Sequence, residues 1–365
     1  YTQQPWGEFR KDIQTVIISS GVTRIGSYAF KLSGVSHVEI SETVKSLGTA
    51  AFSECQNLED ITIPATVTSI EGWGFNSGGL KSITILGDVT LGKSMFYTAR
   101  KLQTLNLFGS SVTFGDETFN SCPRIPSIGF GSKEVALAFN AKYPHKANIQ
   151  SVTLGKNEDD FTADLFSDYT GLTSVEFHHN TPVARFKTIF ANRKDYIDTV
   201  IIGEGVTEVG KESFFECGQL QFVTISDTVK TIAENAFKLT GLTELTIGNN
   251  VTTIGTAAFS TCNGLKNVIV PASVTSIGRY AFDNGGLESI TILGNVTLQD
   301  YVFLKAYHLT TFNLLGNDVN FGTELFRHFE PNFISVGFGS KIIATKFNNY
   351  LNQARYASIQ SVTLG

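Results

Sequence analysis

The chain has 365 residues, with 28 Lys and Arg against 33 Asp and Glu, a formal net charge of −5 and 42% hydrophobic content. That apolar share supports a large core and excludes a disordered chain. The charge balance, without any Lys/Arg run, excludes nucleic acid, whose binding needs a concentrated basic footprint, and no apolar run approaches the length of a membrane span.

An N-terminal segment, 1–12, carries neither an initiator Met nor an apolar signal region, so the start reads as processed or trimmed. From there the chain falls into units that open at Ile13, Val35, Leu58, Leu80, Leu102, Ile125, Ile149, Leu172, Ile197, Leu220, Leu242, Leu265, Leu287, Leu309 and Phe333, with an incomplete one at Ile359. A recurring period of this size signals a stacked architecture, because one unit cannot bury its apolar face alone. Each unit opens with a pattern of the form L-x-x-V-x-I. In Leu265–Val270 the side chains of Leu265, Val268 and Val270 share one face and Asn267 and Ile269 the other, the period-two alternation of a short strand. Pro64, Gly248 or Pro271 then ends the strand, since Pro has no N–H for a ladder. A second apolar pair follows, such as Val274 and Ile277, and then a glycine (Gly26, Gly48, Gly255, Gly278) expected to supply a permissive backbone corner.

Each complete unit next places a Phe, from Phe30 and Phe52 through Phe259 and Phe282 to Phe347, which accounts for about half of the 29 Phe in a chain with one Met and two Trp. Such a column is expected to form a continuous buried spine. Two units, those opening at Ile125 and Phe333, carry extra residues after this Phe, and short helices are expected in "EVALAFNAKY" (134–143) and "IIATKFNNYL" (342–351). The expected fold is therefore a β-rich α/β solenoid, a right-handed superhelix of about 15 rungs of 22–26 residues with parallel β-ladders and little helix.

"IPATVTSIEGWGF" (63–75) and "VPASVTSIGRYAF" (270–282) closely resemble the BspA-like leucine-rich repeat, with its I-P-x-x-V-x-x-I-G-x-x-A-F core. The resemblance runs from Ile13 over nearly the whole chain, with degraded copies opening at Ile125, Ile149, Leu172 and Phe333. It implies a surface or secreted repeat protein that works in adhesion and protein binding.

A larger duplication overlies the small one. "SITILGDVTL" (82–91) returns as "SITILGNVTL" (289–298), an offset of 207. The copied block pairs residues 13–155 with 220–365, ending with "IQSVTLG" at 149–155 and 359–365, and leaves 156–219 as linking rungs. Residues 13–365 are expected to form a single solenoid. The chain stops just after a strand without a polar capping unit, which suggests that the natural protein continues.

Cys55, Cys122, Cys217 and Cys262 each lie three residues after a spine Phe, in one column and on different rungs. Strand spacing then separates the closest pair by roughly 10 Å, too far for a disulfide or a shared metal, and buried free thiols are expected. His178 and His179 lack further ligands at metal spacing and read as exposed turn residues. "KNEDDFTADLFSD" (156–168) lacks the glycine and closing Glu of a calcium loop and reads as a solvated turn. Asn250 and Asn295 begin N-V-T sequons that the repeat itself writes.

The outward strand face is dominated by Ser and Thr, among them Thr62, Ser82, Thr84, Thr104, Ser151, Thr153, Ser289 and Thr291. Residues outside that pattern, His37, Glu39, Asp60, Glu176, Phe222 and Glu244, are the candidate interaction face. No nucleophile elbow, phosphate loop or zinc motif occurs. The expectation is a non-enzymatic, extracellular or cell-surface monomer without cofactor, metal or catalytic residues. Its partner would be a protein, a host matrix or other surface protein, or else a glycan. The alternatives are a carbohydrate-active β-helix-like enzyme, which needs paired acids on adjacent rungs, and a structural spacer.

Overall fold

The computed structural model describes residues 6–122, 124–155, 161–328, 333–354 and 361–364. The chain divides into two compact units, 1–172 and 173–365. The incomplete repeat at Ile359 lies mostly outside the described residues, which hold only its strand Val362–Leu364.

In the first unit the L-x-x-V-x-I segments form four-residue strands in parallel. Thr15–Ile18 pairs with His37–Ile40, and Asp60–Ile63, Ser82–Ile85, Thr104–Leu107, Ser127–Phe130 and Ser151–Leu154 form one ladder. A second parallel ladder joins Arg24–Ile25, Ser46–Leu47, Ser69–Ile70, Val89–Leu91 and Val112–Phe114. The register keeps each apolar position above its equivalent: Ile61 pairs with Ile83, Ile83 with Leu105, Leu105 with Ile128, and Ile128 with Val152. All five are buried. A one-residue slip would turn this row to water, so the apolar pattern fixes the register.

The second unit repeats the arrangement. Ser174–Phe177, Thr199–Ile202, Phe222–Ile225 and Glu244–Thr246 form one parallel ladder. Asn267–Val270, Ser289–Ile292, Thr311–Leu314, Ser335–Phe338 and Val362–Leu364 form another. The second apolar pairs form a ladder of their own, from Glu208–Val209 to Val319–Phe321.

The third side of each rung carries the Phe. Rings stack from Phe30 to Phe52, Phe75, Phe96 and Phe119 at centroid distances of 5.3, 5.9, 6.5 and 5.8 Å, with planes within 19°. The second unit stacks Phe214, Phe237, Phe259, Phe282, Phe303 and Phe326 at 5.1, 5.4, 5.5, 6.1 and 5.6 Å. At the N-terminal end Trp6 covers the column, stacking on Phe30 at 5.5 Å while its Nε1 donates to the Ala29 carbonyl at 2.9 Å.

The backbone around each stacked Phe differs from the sequence expectation. The left-handed conformation falls not on the corner glycines but on the residues two before and two after the Phe. Around Phe259 these are Ala257 at φ 52° and Thr261 at φ 58°, around Phe282 they are Tyr280 at 59° and Asn284 at 47°, and the same pair recurs at Tyr28 and Leu32 around Phe30. Such backbone costs an L-residue about 1–2 kcal/mol, and here it is offset by inter-rung hydrogen bonding. The N–H groups of Ala257, Phe259 and Thr261 donate to the carbonyls of Arg279, Ala281 and Asp283 at 2.7, 2.9 and 2.9 Å. The glycines serve close approach instead: a Cβ on Gly278 would stand 2.6 Å from the Gly255 carbonyl carbon.

Helices appear where copies are degraded. Lys133–Lys142 and Lys341–Ala354 are the two expected helices. Phe139 on the first meets Phe119 edge-on, at 5.6 Å and 80°. The Leu172 repeat holds two further short helices, Asn180–Ala184 and Phe186–Ile189, with Phe186 and Ile189 buried. The acidic segment is only in part a solvated turn: Ala163–Phe166 is a 3₁₀ turn that buries Leu165 and Phe166, and 156–160 lie outside the described residues.

One pair of positions related by the 207-residue offset ties burial to pH. Asn76 and Asp283 each hold a buried side-chain oxygen, Oδ1, without a hydrogen-bond partner. Burial pushes the Asp283 carboxyl above the usual carboxylate range, against the Ser260 hydrogen bond and the charges of Lys238 and Lys305. A raised folded-state pKa means that the native state binds the proton more tightly, so stability is lost as pH rises from the unfolded value through the folded one. Asp283→Asn, which copies Asn76, is expected to raise the thermal midpoint at pH 7 and to do little at pH 3. A lower midpoint at pH 7 would show that the charge is compensated.

Candidate interaction face

The outward face is set by the same alternation that builds the core. In Asn267–Val270, Val268 and Val270 are buried while Asn267 and Ile269 are exposed. Most of the Ser and Thr positions are half-buried, because their neighbours above and below shield them along the ladder. Asn106 Nδ2 donates to Thr84 Oγ1 at 3.2 Å, and Asn313 Nδ2, 207 residues on, donates to Thr291 Oγ1 at 3.1 Å. Thr153 departs from the expectation of an exposed column, at only 6% exposure. The Phe108 ring lies over Gly129, the register partner of Thr153, where a Cβ would meet Phe108 Cε1 at 2.8 Å. Glycine at 129 makes room for that ring.

The six candidate residues fall into two groups. In the first unit His37 and Glu39 lie on one strand with Nε2 and Oε1 3.1 Å apart and side chains 58% and 62% exposed. Asp60 opens the strand Asp60–Ile63 and is exposed. In the second unit Phe222 and Glu244 are register partners on neighbouring strands, so their side chains stand side by side. Phe222 is 37% exposed. Glu176 belongs to the same ladder one row along, opposite Ile201. Its Oε1 lies 3.0 Å from His178 Nε2.

The two histidines sit in the turn the sequence suggests, but half-buried instead of exposed. His178 lies at 3.0 Å from the Glu204 carbonyl as well as from Glu176, and its side chain is 26% exposed. His179 caps the helix Asn180–Ala184, its Nδ1 accepting from the Thr181 N–H at 3.3 Å. Among the described residues no group of three His, Cys, Asp or Glu could hold a metal ion. No helix among them is long and apolar enough to cross a membrane. Asn250 and Asn295 are both exposed, and Asn295 Oδ1 accepts from the Asn317 and Asp318 N–H groups at 2.7 and 2.9 Å.

Reading the face as a Ser/Thr surface missed its exposed aliphatic residues. Ile17 and Ile269 are each 63% exposed on outward strand positions, and Ile17 is the register partner of Glu39. Their signal was available: an apolar residue in the outward phase of a period-two strand.

All four cysteines are free and buried. Burial raises every thiol pKa, to about 12 for Cys122 and about 11 for Cys217 and Cys262. Cys262 Sγ lies 3.1 Å from the Phe237 carbonyl and 3.2 Å from Thr240 Oγ1, and Cys55 repeats this with the Phe30 carbonyl at 3.1 Å and Ser33 Oγ at 3.5 Å. Only the thiolate reacts, so at pH 8 a thiol reagent is expected to leave all four unmodified while it labels a urea-unfolded control. Labelling of the native chain at the control's rate would show that the column opens.

Short parallel strands, a second parallel ladder and a stacked Phe on the third side, repeated every 22–26 residues, define a leucine-rich-repeat solenoid. The profile of the BspA type leucine rich repeat region (6 copies) matches residues 9–126, 89–214, 138–263, 185–310 and 230–353, and the chain belongs to this family. No curated protein matches it in sequence. Among solved structures it is similar to the pneumococcal vaccine antigen PcpA, at 17% identity over 96% of this chain and 79% of that one, with a TM-score of 0.35. A leucine rich cell surface protein from Faecalibacterium prausnitzii is 18% identical over 85% and 88% of the two chains, with a TM-score of 0.29. A leucine-rich repeat protein from Bacteroides ovatus is 21% identical over 83% and 79%, also at 0.29. Membership of the family rests on the repeats themselves.

Proposed function

We propose that the chain is a non-enzymatic repeat protein of the cell surface or the extracellular space. It mediates adhesion by binding a protein, a host matrix protein or another surface protein, through the outward strand face. The observation that carries this reading is the pairing of Phe222 with Glu244 on adjacent strands of the second unit. An exposed aromatic ring beside a carboxylate, on a rigid hydrogen-bonded ladder, is the kind of anchor on which protein interfaces concentrate their binding energy. The surrounding Ser and Thr supply many weak contacts and little charge. Family membership supports a repeat protein for protein interaction.

Surface plasmon resonance against a panel of immobilised host matrix proteins tests the reading. At least one is expected to bind, and Phe222→Ala/Glu244→Ala to weaken that complex at least tenfold. Unchanged binding by the double variant removes this face from the proposal, and hydrolysis of a polysaccharide panel overturns the non-enzymatic reading.

A further inference from the structure

The two copies of the duplicated block share one backbone plan, so a surface feature present in one and replaced in the other is not required by the fold. One such difference lies in the first unit, where the chain enters its strands. A groove of about 760 Å³ is lined there by Lys81, Arg100, Lys101 and Arg124, with no carboxylate in its lining. All four cations are exposed. Lys81 Nζ lies 2.7 Å from Glu59 Oε1. Arg100, Lys101 and Arg124 enter no ion pair among the described residues. Lys81, and after it Lys101, holds the Glu59 carboxyl below the usual carboxylate range, so Lys101 shares the field of Glu59. In a chain of net charge −5, four exposed cations along one groove with a single carboxylate beside them are a local reversal of sign.

The equivalent positions of the second unit show what the scaffold accepts instead. At an offset of 207, Arg100 and Lys101 become Tyr307 and His308. The ion pair Lys81–Glu59 survives with its charges exchanged, as Lys266–Glu288 at 2.9 Å. The scaffold therefore keeps a pair between these two rungs in either polarity, and the polarity in the first unit adds a cation to the groove. Exposed like charges repel and contribute nothing to folding, so their clustering calls for a ligand.

We infer that this groove binds an anionic polysaccharide, through sulfate or carboxylate groups on a hydroxyl-rich chain. The cations meet the anionic groups, Arg100 and Arg124 with forked donors suited to planar or tetrahedral oxyanions. The side-chain amides of Gln103, Asn148 and Gln150 in the same groove can both donate to and accept from sugar hydroxyls. An acidic peptide fits less well, because the lining offers no aromatic side chain and its apolar members are small or, as with Leu102, buried. The site is distinct from the strand face around Phe222 and Glu244.

Heparin, hyaluronan, uncharged dextran and poly-glutamate, each immobilised, distinguish the possibilities with the full chain. Heparin is expected to bind with an affinity that falls steeply with salt, as counterion release requires, and dextran not to bind. Binding of heparin alone assigns the groove to sulfate, and binding of hyaluronan as well shows that carboxylate suffices. The variant Arg100→Tyr/Lys101→His/Arg124→Ala takes its first two residues from the second unit, so its unfolding midpoint should match the parent while heparin affinity drops at least tenfold. Phe222→Ala/Glu244→Ala should bind heparin like the parent. Parental heparin affinity in the triple variant, equal binding to dextran, or tighter binding to poly-glutamate would each overturn the inference.

Discussion

Phe259→Ala is expected to destabilise the chain by about 3–5 kcal/mol, read as a fall in the urea midpoint. Phe259 is 1% exposed and lies between Phe237 at 5.4 Å and Phe282 at 5.5 Å, with ring planes 2° and 10° from its own. Truncation leaves a void bounded by two rings whose backbones are held by the Phe237 N–H to Ala258 and Phe282 N–H to Val302 hydrogen bonds, at 2.8 and 3.0 Å. Collapse into the void is therefore restricted, and the loss belongs at the upper end of the range. The ring contacts add about 0.5–1.5 kcal/mol each beyond buried area. Phe259→Leu, which refills much of the volume, should cost less than half as much. An unchanged midpoint in Phe259→Ala would show that the column does not hold the rungs together.

Gly109→Ala is the second large effect, at about 1–3 kcal/mol from overpacking. A Cβ on Gly109 would stand 2.4 Å from the Gly87 carbonyl oxygen, and one on Gly131 would stand 2.3 Å from the Gly109 carbonyl oxygen. Three glycines are thus stacked where successive rungs bend after the first strand, and the obstacle is backbone, which cannot swing aside. Gly316 repeats the position in the second unit, at 2.4 Å from the Gly294 carbonyl oxygen, so Gly316→Ala should lose a similar amount. Gly218 has nothing within 4 Å of an added Cβ and no left-handed backbone, so Gly218→Ala should be neutral or slightly stabilising. Equal midpoints for Gly109→Ala and Gly218→Ala would mean that the rungs separate at little cost.

Much of the fold was legible because a stacked repeat writes its contacts at fixed spacing. The L-x-x-V-x-I segments gave the strands and their buried phase, as Val268 and Val270 show. The extra residues after Phe139 and Phe347 gave the two longer helices. The cysteine column gave free buried thiols. These features depend on periodicity, which is a property of the sequence alone.

What escaped the sequence depends on which rung stands next to which. Left-handed backbone at Ala257 and Thr261 has no compositional mark, because non-glycine residues adopt it here for the hydrogen bonds they gain to Arg279 and Asp283. The burial of Thr153 depends on Phe108, a residue 45 positions earlier, folding across Gly129. The basic groove draws Lys81, the Arg100-Lys101 pair and Arg124 from three separate turns of the chain that approach only when stacked, so no charge run longer than two residues announced it. The sequence by itself determined the repeat, the phase of each strand and the identity of the core, because burial follows period. The tertiary structure decided which exposed residues become neighbours, because in a stack lateral proximity is set by register between units more than twenty residues apart.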